Sequence, residues 1–160
     1  MIKRKGQEEM VGFALIIIIV SVILLIFLSL SLRSSKRAEI QSYEVEGFIQ
    51  SFLQYTSDCE DELGFLSVQK LIFSCDSHET CLDGRDTCVA LNSTLREICE
   101  NSWNVGEDTP IKAYELRITS DETEIFLLEK GNITQNYKGA SQDFVKRGRD
   151  YEVSFKLYYS

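Results

Sequence analysis

One histidine, one proline and one tryptophan occur in 160 residues, and several chemistries are excluded by what is missing. His78 lies in the polar segment Asp76-Ser77-His78-Glu79, near cysteines; a Cys-His nucleophile pair is conceivable there, and a solvated loop is the simpler reading. No phosphate-binding Walker loop, dinucleotide fingerprint, nucleophile elbow or H-E-x-x-H helix is present. Without C-x-x-C, a thioredoxin-like redox role has no motif, and without close C-x2-4-C pairs the usual zinc frameworks are absent. Acidic pairs such as Asp83 with Asp86, or Asp121 with Glu122, lack the ligand order of an EF-hand. The chain therefore reads as a non-enzyme with no catalytic, cofactor or metal residues to name.

Basic residues are also in short supply, with 17 against 25 acidic ones. Setting aside Lys3, Arg4, Lys5, Glu8 and Glu9 leaves 14 and 23, so the C-terminal part is near −9. An acidic surface is repelled by phosphate backbones and anionic headgroups, which excludes nucleic acid as a partner. Neither internal repeats nor a low-complexity linker appears, so one modest domain is expected after the N-terminal segment.

Charge is missing altogether from Met10 to Leu32, a run of 23 residues. As a helix it would measure roughly 35 Å at ~1.5 Å per residue, against ~30 Å of bilayer hydrocarbon. The pattern predicts a transmembrane helix over about residues 7–36, with membrane lipid as its surroundings. Its flanks, Lys3-Arg4-Lys5 and Arg33, Lys36 and Arg37, are nearly balanced in positive charge, so orientation rests on other features. Five cysteines (Cys59, Cys75, Cys81, Cys88, Cys99) and two acceptor triplets beginning at Asn92 and Asn132 favour an oxidising, outward location for residues 37–160. The expected localisation is thus the cell membrane, single pass, with the N-terminus cytoplasmic.

The run is too long for an ordinary removable signal and lacks a small-residue cleavage site after it. The junction before it reads Lys5-Gly6-Gln7, followed by Glu8, Glu9 and the apolar segment. Here the chain resembles archaeal type IV pilin-like proteins, which carry class III signal peptides. The resemblance covers about the first 35 residues and the plan of helix followed by head. It implies a leader over residues 1–6, a prepilin peptidase cutting between Gly6 and Gln7, and pairing with copies of itself or other pilins through residues 10–32. Such pilins usually carry glutamate at the fifth mature position, whereas Val11 stands there in this chain. Glu8 and Glu9 are the remaining candidates for subunit pairing, and acidic groups beginning a helix also favour its positive end.

Past the run, Val45, Phe48, Ile49, Phe52 and Tyr55 recur at helical spacing, predicting a stalk continuous with the apolar helix to about Tyr55. An acidic turn over 58–62 and a short helical pattern through Phe65, Val68, Leu71, Ile72 and Cys75 follow. A second short helix is predicted from Thr87 to Ser102, with Asp86 as N-cap. From Ile111 the period becomes two: Tyr114, Leu116 and Ile118 lead into a polar turn and a returning strand over 124–129. A further strand over 133–137, a loop through Gly139 and Gly148, and an alternating strand from Tyr151 to Tyr159 complete the pattern.

The expected fold is α+β: a long N-terminal transmembrane and stalk helix, then a small head with two short helices and a mainly antiparallel sheet. Five cysteines with one left over allow fifteen arrangements of two bridges, so connectivity stays open. Cys59, Cys75, Cys81 and Cys88 are the disulfide candidates, Cys99 falls on an apolar stripe, and Asn92 and Asn132 are the glycosylation candidates. The expected function is a membrane-anchored pilin-like subunit of a surface filament. The alternative is a single-pass membrane protein whose outer domain binds a partner or ligand without polymerising.

Overall fold

The structure is a computed structural model that describes residues 5–33 and 42–160; in the first helix it describes more than the backbone only at Gly12 and from Ala14 to Phe27. The chain divides into two units, residues 1–38 and 39–160. The first contains helix α1 (Lys5–Arg33). The second is α+β: α2 (Tyr43–Gln54), β1 (Thr56–Asp61), β2 (Gly64–Ser67), α3 (Val68–Asp76), α4 (Thr87–Ser102), β3 (Ile111–Ser120), β4 (Thr123–Gly131), β5 (Asn136–Lys146) and β6 (Arg149–Tyr159).

Two expectations about the N-terminal region need correction. Ser42 has extended backbone geometry, φ −102° and ψ 115°, and α2 begins anew at Tyr43, so no single helix runs from the apolar segment to Tyr55. Among the described residues no helix is long and apolar enough to cross a membrane. The long transmembrane and stalk helix, and the single-pass placement in the cell membrane with a cytoplasmic N-terminus, are therefore withdrawn.

In the second unit, β4-β3-β6-β5 form a four-stranded sheet in which every neighbouring pair is antiparallel, and β1 pairs with β2 in a separate hairpin. The inward column of β6, Tyr151, Val153, Phe155 and Leu157, is buried, as are Tyr114, Leu116 and Ile118 of β3. α2 lays Val45, Ile49, Phe52 and Leu53 into this core and packs on β5 and β6. Its start is tied to the sheet by the Ser42 N–H, which donates to the Gly139 carbonyl at 3.1 Å.

Local signals explain several boundaries. Asp86 caps α4, its carboxylate accepting from the N–H groups of Cys88 and Val89 at 2.8 and 3.2 Å. Asp121 and Glu122 both take positive φ, 48° and 65°, and Arg147-Gly148 take 52° and 81°, the backbone that two-residue antiparallel turns require. Gly131 (φ +92°) ends β4 against β3, where a Cβ would collide with the Lys112 carbonyl oxygen.

Elsewhere the structure departs from the sequence pattern. The acidic segment 58–62 forms the end of β1 and the start of the turn into β2, and Phe65, expected on a helix face, lies in β2 with 60% of its surface exposed. β5 runs through Gly139, which had marked a loop, because it pairs along its whole length with β6. Long-range pairing overrides a weak local pattern there.

Cys59 is bonded to Cys81 and Cys75 to Cys88, with Cα separations of 5.4 and 4.6 Å. The first bridge ties β1 to the segment between α3 and α4; the second joins the end of α3 to the start of α4. Cys99 is a buried free thiol.

Candidate functional site

The β5-β6 turn carries an unusual concentration of positive charge for an acidic chain. In the antiparallel register Lys146 faces Arg149 and Phe144 faces Tyr151, so all four share one face of the sheet, the face toward α3. The two rings of the second pair stack at 5.7 Å, and Phe73 of α3 meets each of them edge-on. One register step beyond this aromatic layer the column becomes cationic. Lys146 places its ammonium 3.9 Å from the centre of the Phe73 ring, held by a cation-π contact.

A cleft of about 510 Å³ opens at this end of the domain. One wall is α3 and its C-cap, through Lys70, Ser74 and Ser77; the opposite wall is the turn, through Lys146, Arg147 and Arg149. Asp61, Leu63 and Leu66 of the β1-β2 hairpin and Glu79 complete the rim. Among the described residues, Lys70, Lys146 and Arg147 form no ion pair. Burial, together with the neighbouring charges of Arg147 and Lys70, moves the Lys146 ammonium below the usual lysine range, with Glu79 opposing.

Arg149 is neutralised differently. Asp76, at the end of α3, accepts on one oxygen from Arg149 Nη1 at 2.6 Å, Tyr151 Oη at 2.7 Å and Ser120 Oγ at 3.2 Å. Burial by itself would raise this carboxyl, but the bonds from Tyr151 and Arg149 outweigh it and hold the group below the ordinary carboxylate value. Asp76 thus joins α3, β3 and β6 at one point.

A prediction follows for Asp76→Ala, which strands three donors at a side chain only 12% exposed. We expect a loss of about 2 kcal/mol in urea unfolding at pH 7. Because the folded-state carboxyl titrates below its unfolded value, its stabilisation is complete above about pH 4 and disappears as pH falls through the folded value. The gap between wild type and variant should therefore narrow below about pH 4; a gap constant to pH 2 would contradict this assignment.

The residues singled out in the sequence are dispersed. Lys5, Gly6, Gln7, Glu8 and Glu9 lie in the first turns of α1, and their side chains are outside the described set. Asn92 is exposed in the middle of α4, and Asn132 is exposed in the loop after β4. His78 is exposed with φ 54°, and the cysteines close to it in sequence, Cys75 and Cys81, are both in disulfides. Burial, with a contribution from Glu100, pushes the Cys99 thiol up to about 12, so it stays protonated at neutral pH.

The acidic pairs have other uses. Asp83 holds Arg85 at 2.6 Å, Asp86 caps α4, and Asp121 accepts from the Asp150 N–H at 3.0 Å. Among the described residues no group of three or more His, Cys, Asp or Glu side chains converges on a metal position.

Sequence reasoning missed the cleft. Its four cations come from two regions separated by more than seventy residues, and the only local trace is Lys146-Arg147-Gly148-Arg149, basic residues around a turn glycine. No family model matches this chain, and neither do the curated proteins or the solved structures.

Proposed function

We propose that this protein is a pilin-like structural subunit, in which α1 packs against the same helix of other copies to form a filament core and the disulfide-bonded domain forms the outer coat. One observation carries the reading. From Leu15 to Phe27 α1 presents twelve large apolar side chains, each 48–71% exposed, on every side of the helix. A helix that docks on one domain needs one apolar stripe, whereas an all-round apolar surface is suited to burial by several neighbours. Burying such a side chain is worth about 1.5–3 kcal/mol, so repeated helix contacts supply ample free energy for assembly. Two disulfides are consistent with an extracellular coat. The Lys5-Gly6-Gln7 junction further supports processing by a prepilin peptidase before assembly.

The test joins mass spectrometry of the mature N-terminus with electron microscopy of sheared cell-surface material. The expected result is a chain beginning at Gln7 and present in filaments that are lost in an Ile18→Asp/Leu24→Asp variant. A chain that retains Lys3 to Gly6 and is absent from any filament overturns the proposal.

A further inference from the structure

We infer that the cleft between α3 and the β5-β6 turn binds a small organic oxyanion, a phosphate or carboxylate group carried on a molecule of about sugar size. On a chain with a net charge of −8, chance does not favour gathering Lys70, Lys146, Arg147 and Arg149 around one concavity. Arg149 is matched by Asp76, but the other three have no ion-pair partner among the described residues, and two of them raise the cost of keeping Lys146 charged. A bound anion relieves that repulsion for all three cations at once.

Two placements look arranged for a ligand and not for stability. Lys70 sits in the first turn of α3, where the helix dipole disfavours a cation. Lys146 is fixed over Phe73, which aims its ammonium at little cost in ordering. The volume of about 510 Å³ lies within the range of small-molecule sites. Ser74 and Ser77 add hydroxyl donors on the α3 wall. Asp61 and Glu79 at the rim repel a second negative charge, favouring ligands with one compact anionic group. This inference concerns the domain and is independent of whether α1 assembles.

The experiment is calorimetric titration of the full chain, dispersed in a neutral detergent, with glucose 6-phosphate, galacturonate and glucose. At 20 mM salt at least one of the acidic sugars should bind at least tenfold more tightly than glucose, and 0.5 M salt should abolish the difference. Tighter binding of glucose 6-phosphate identifies a phosphate ligand; tighter binding of galacturonate identifies a carboxylate.

Arg147→Asn is the informative variant, because asparagine accepts positive φ and Asn-Gly suits this turn, so charge is removed while the fold is kept. It and Lys70→Gln should each weaken binding at least fivefold with an unchanged melting temperature. Equal affinity for all three sugars, no binding of any of them, or undiminished binding in both variants overturns the inference.

Discussion

Full reduction of the two disulfides is expected to lower the melting temperature of the domain by about 20 °C or more, as followed by circular dichroism with and without reductant. Cys59 and Cys81 are 22 residues apart and Cys75 and Cys88 are 13 apart. Closing loops of these sizes is worth about 3 kcal/mol each in the unfolded-chain account, or about 6 kcal/mol together. Total stabilities of single domains are about 5–15 kcal/mol, so the bridges supply much of the margin. They also act on the same weak place. The segment between α3 and α4 is mostly exposed; besides backbone bonds, among them Leu82 N–H to the Glu60 carbonyl at 2.8 Å, it is tied back by Arg85, which bonds the Asp58 carboxylate at 2.8 Å and its carbonyl at 3.1 Å. Those contacts are exposed and contribute little by themselves. Cys75 and Cys88 also fix the relative ends of α3 and α4, so Cys75→Ser/Cys88→Ser should lose about half of the total effect. An unchanged melting temperature on complete reduction would refute this account.

Phe155→Ala is expected to cost about 3 kcal/mol in chemical unfolding. Phe155 is fully buried at the centre of an aromatic cluster, with ring centroids 4.9 Å from Phe48, 5.9 Å from Tyr114 and 6.1 Å from Trp103. Removing it deletes the contact between α2, β3 and the chain leaving α4. Phe-to-Ala changes in cores cost about 3–5 kcal/mol. The lower end applies here because Trp103 Nε1 and Tyr114 Oη are buried without hydrogen-bond partners among the described residues, and a water admitted into the new cavity can serve them. Phe155→Leu, which keeps most of the volume, should cost less than half as much. If alanine and leucine cost the same, the cluster is not what holds these elements together.

Much of the second unit was legible in the amino-acid pattern. The α4 boundaries and its Asp86 cap followed from an aspartate preceding a stripe of period 3.6. The β3-β4 hairpin followed from Tyr114, Leu116 and Ile118 alternating before a polar turn, and β6 from its alternation from Tyr151 onward. In each case a side chain's own periodicity decides which face it buries. The β1-β2 hairpin and the full extent of β5 were not legible. Segment 58–62 is acidic enough to read as a turn, and β5 contains Gly139 and polar residues that acquire a strand conformation only by pairing with β6.

The cleft was also hidden, since Lys70 and Lys146 are joined only by the packing of α3 on the sheet. In the N-terminal region the sequence pattern extended the apolar run into a stalk, but the extended backbone at Ser42 starts α2 separately. The order of residues by itself determined that the chain carries an apolar helix, an α+β domain and cysteines enough for two bridges, because hydrophobic periodicity and residue counts are read along the chain without knowledge of distant contacts. Only the tertiary structure decided which cysteines pair, which strands adjoin and where the cations gather, because those depend on contacts between residues far apart along the chain.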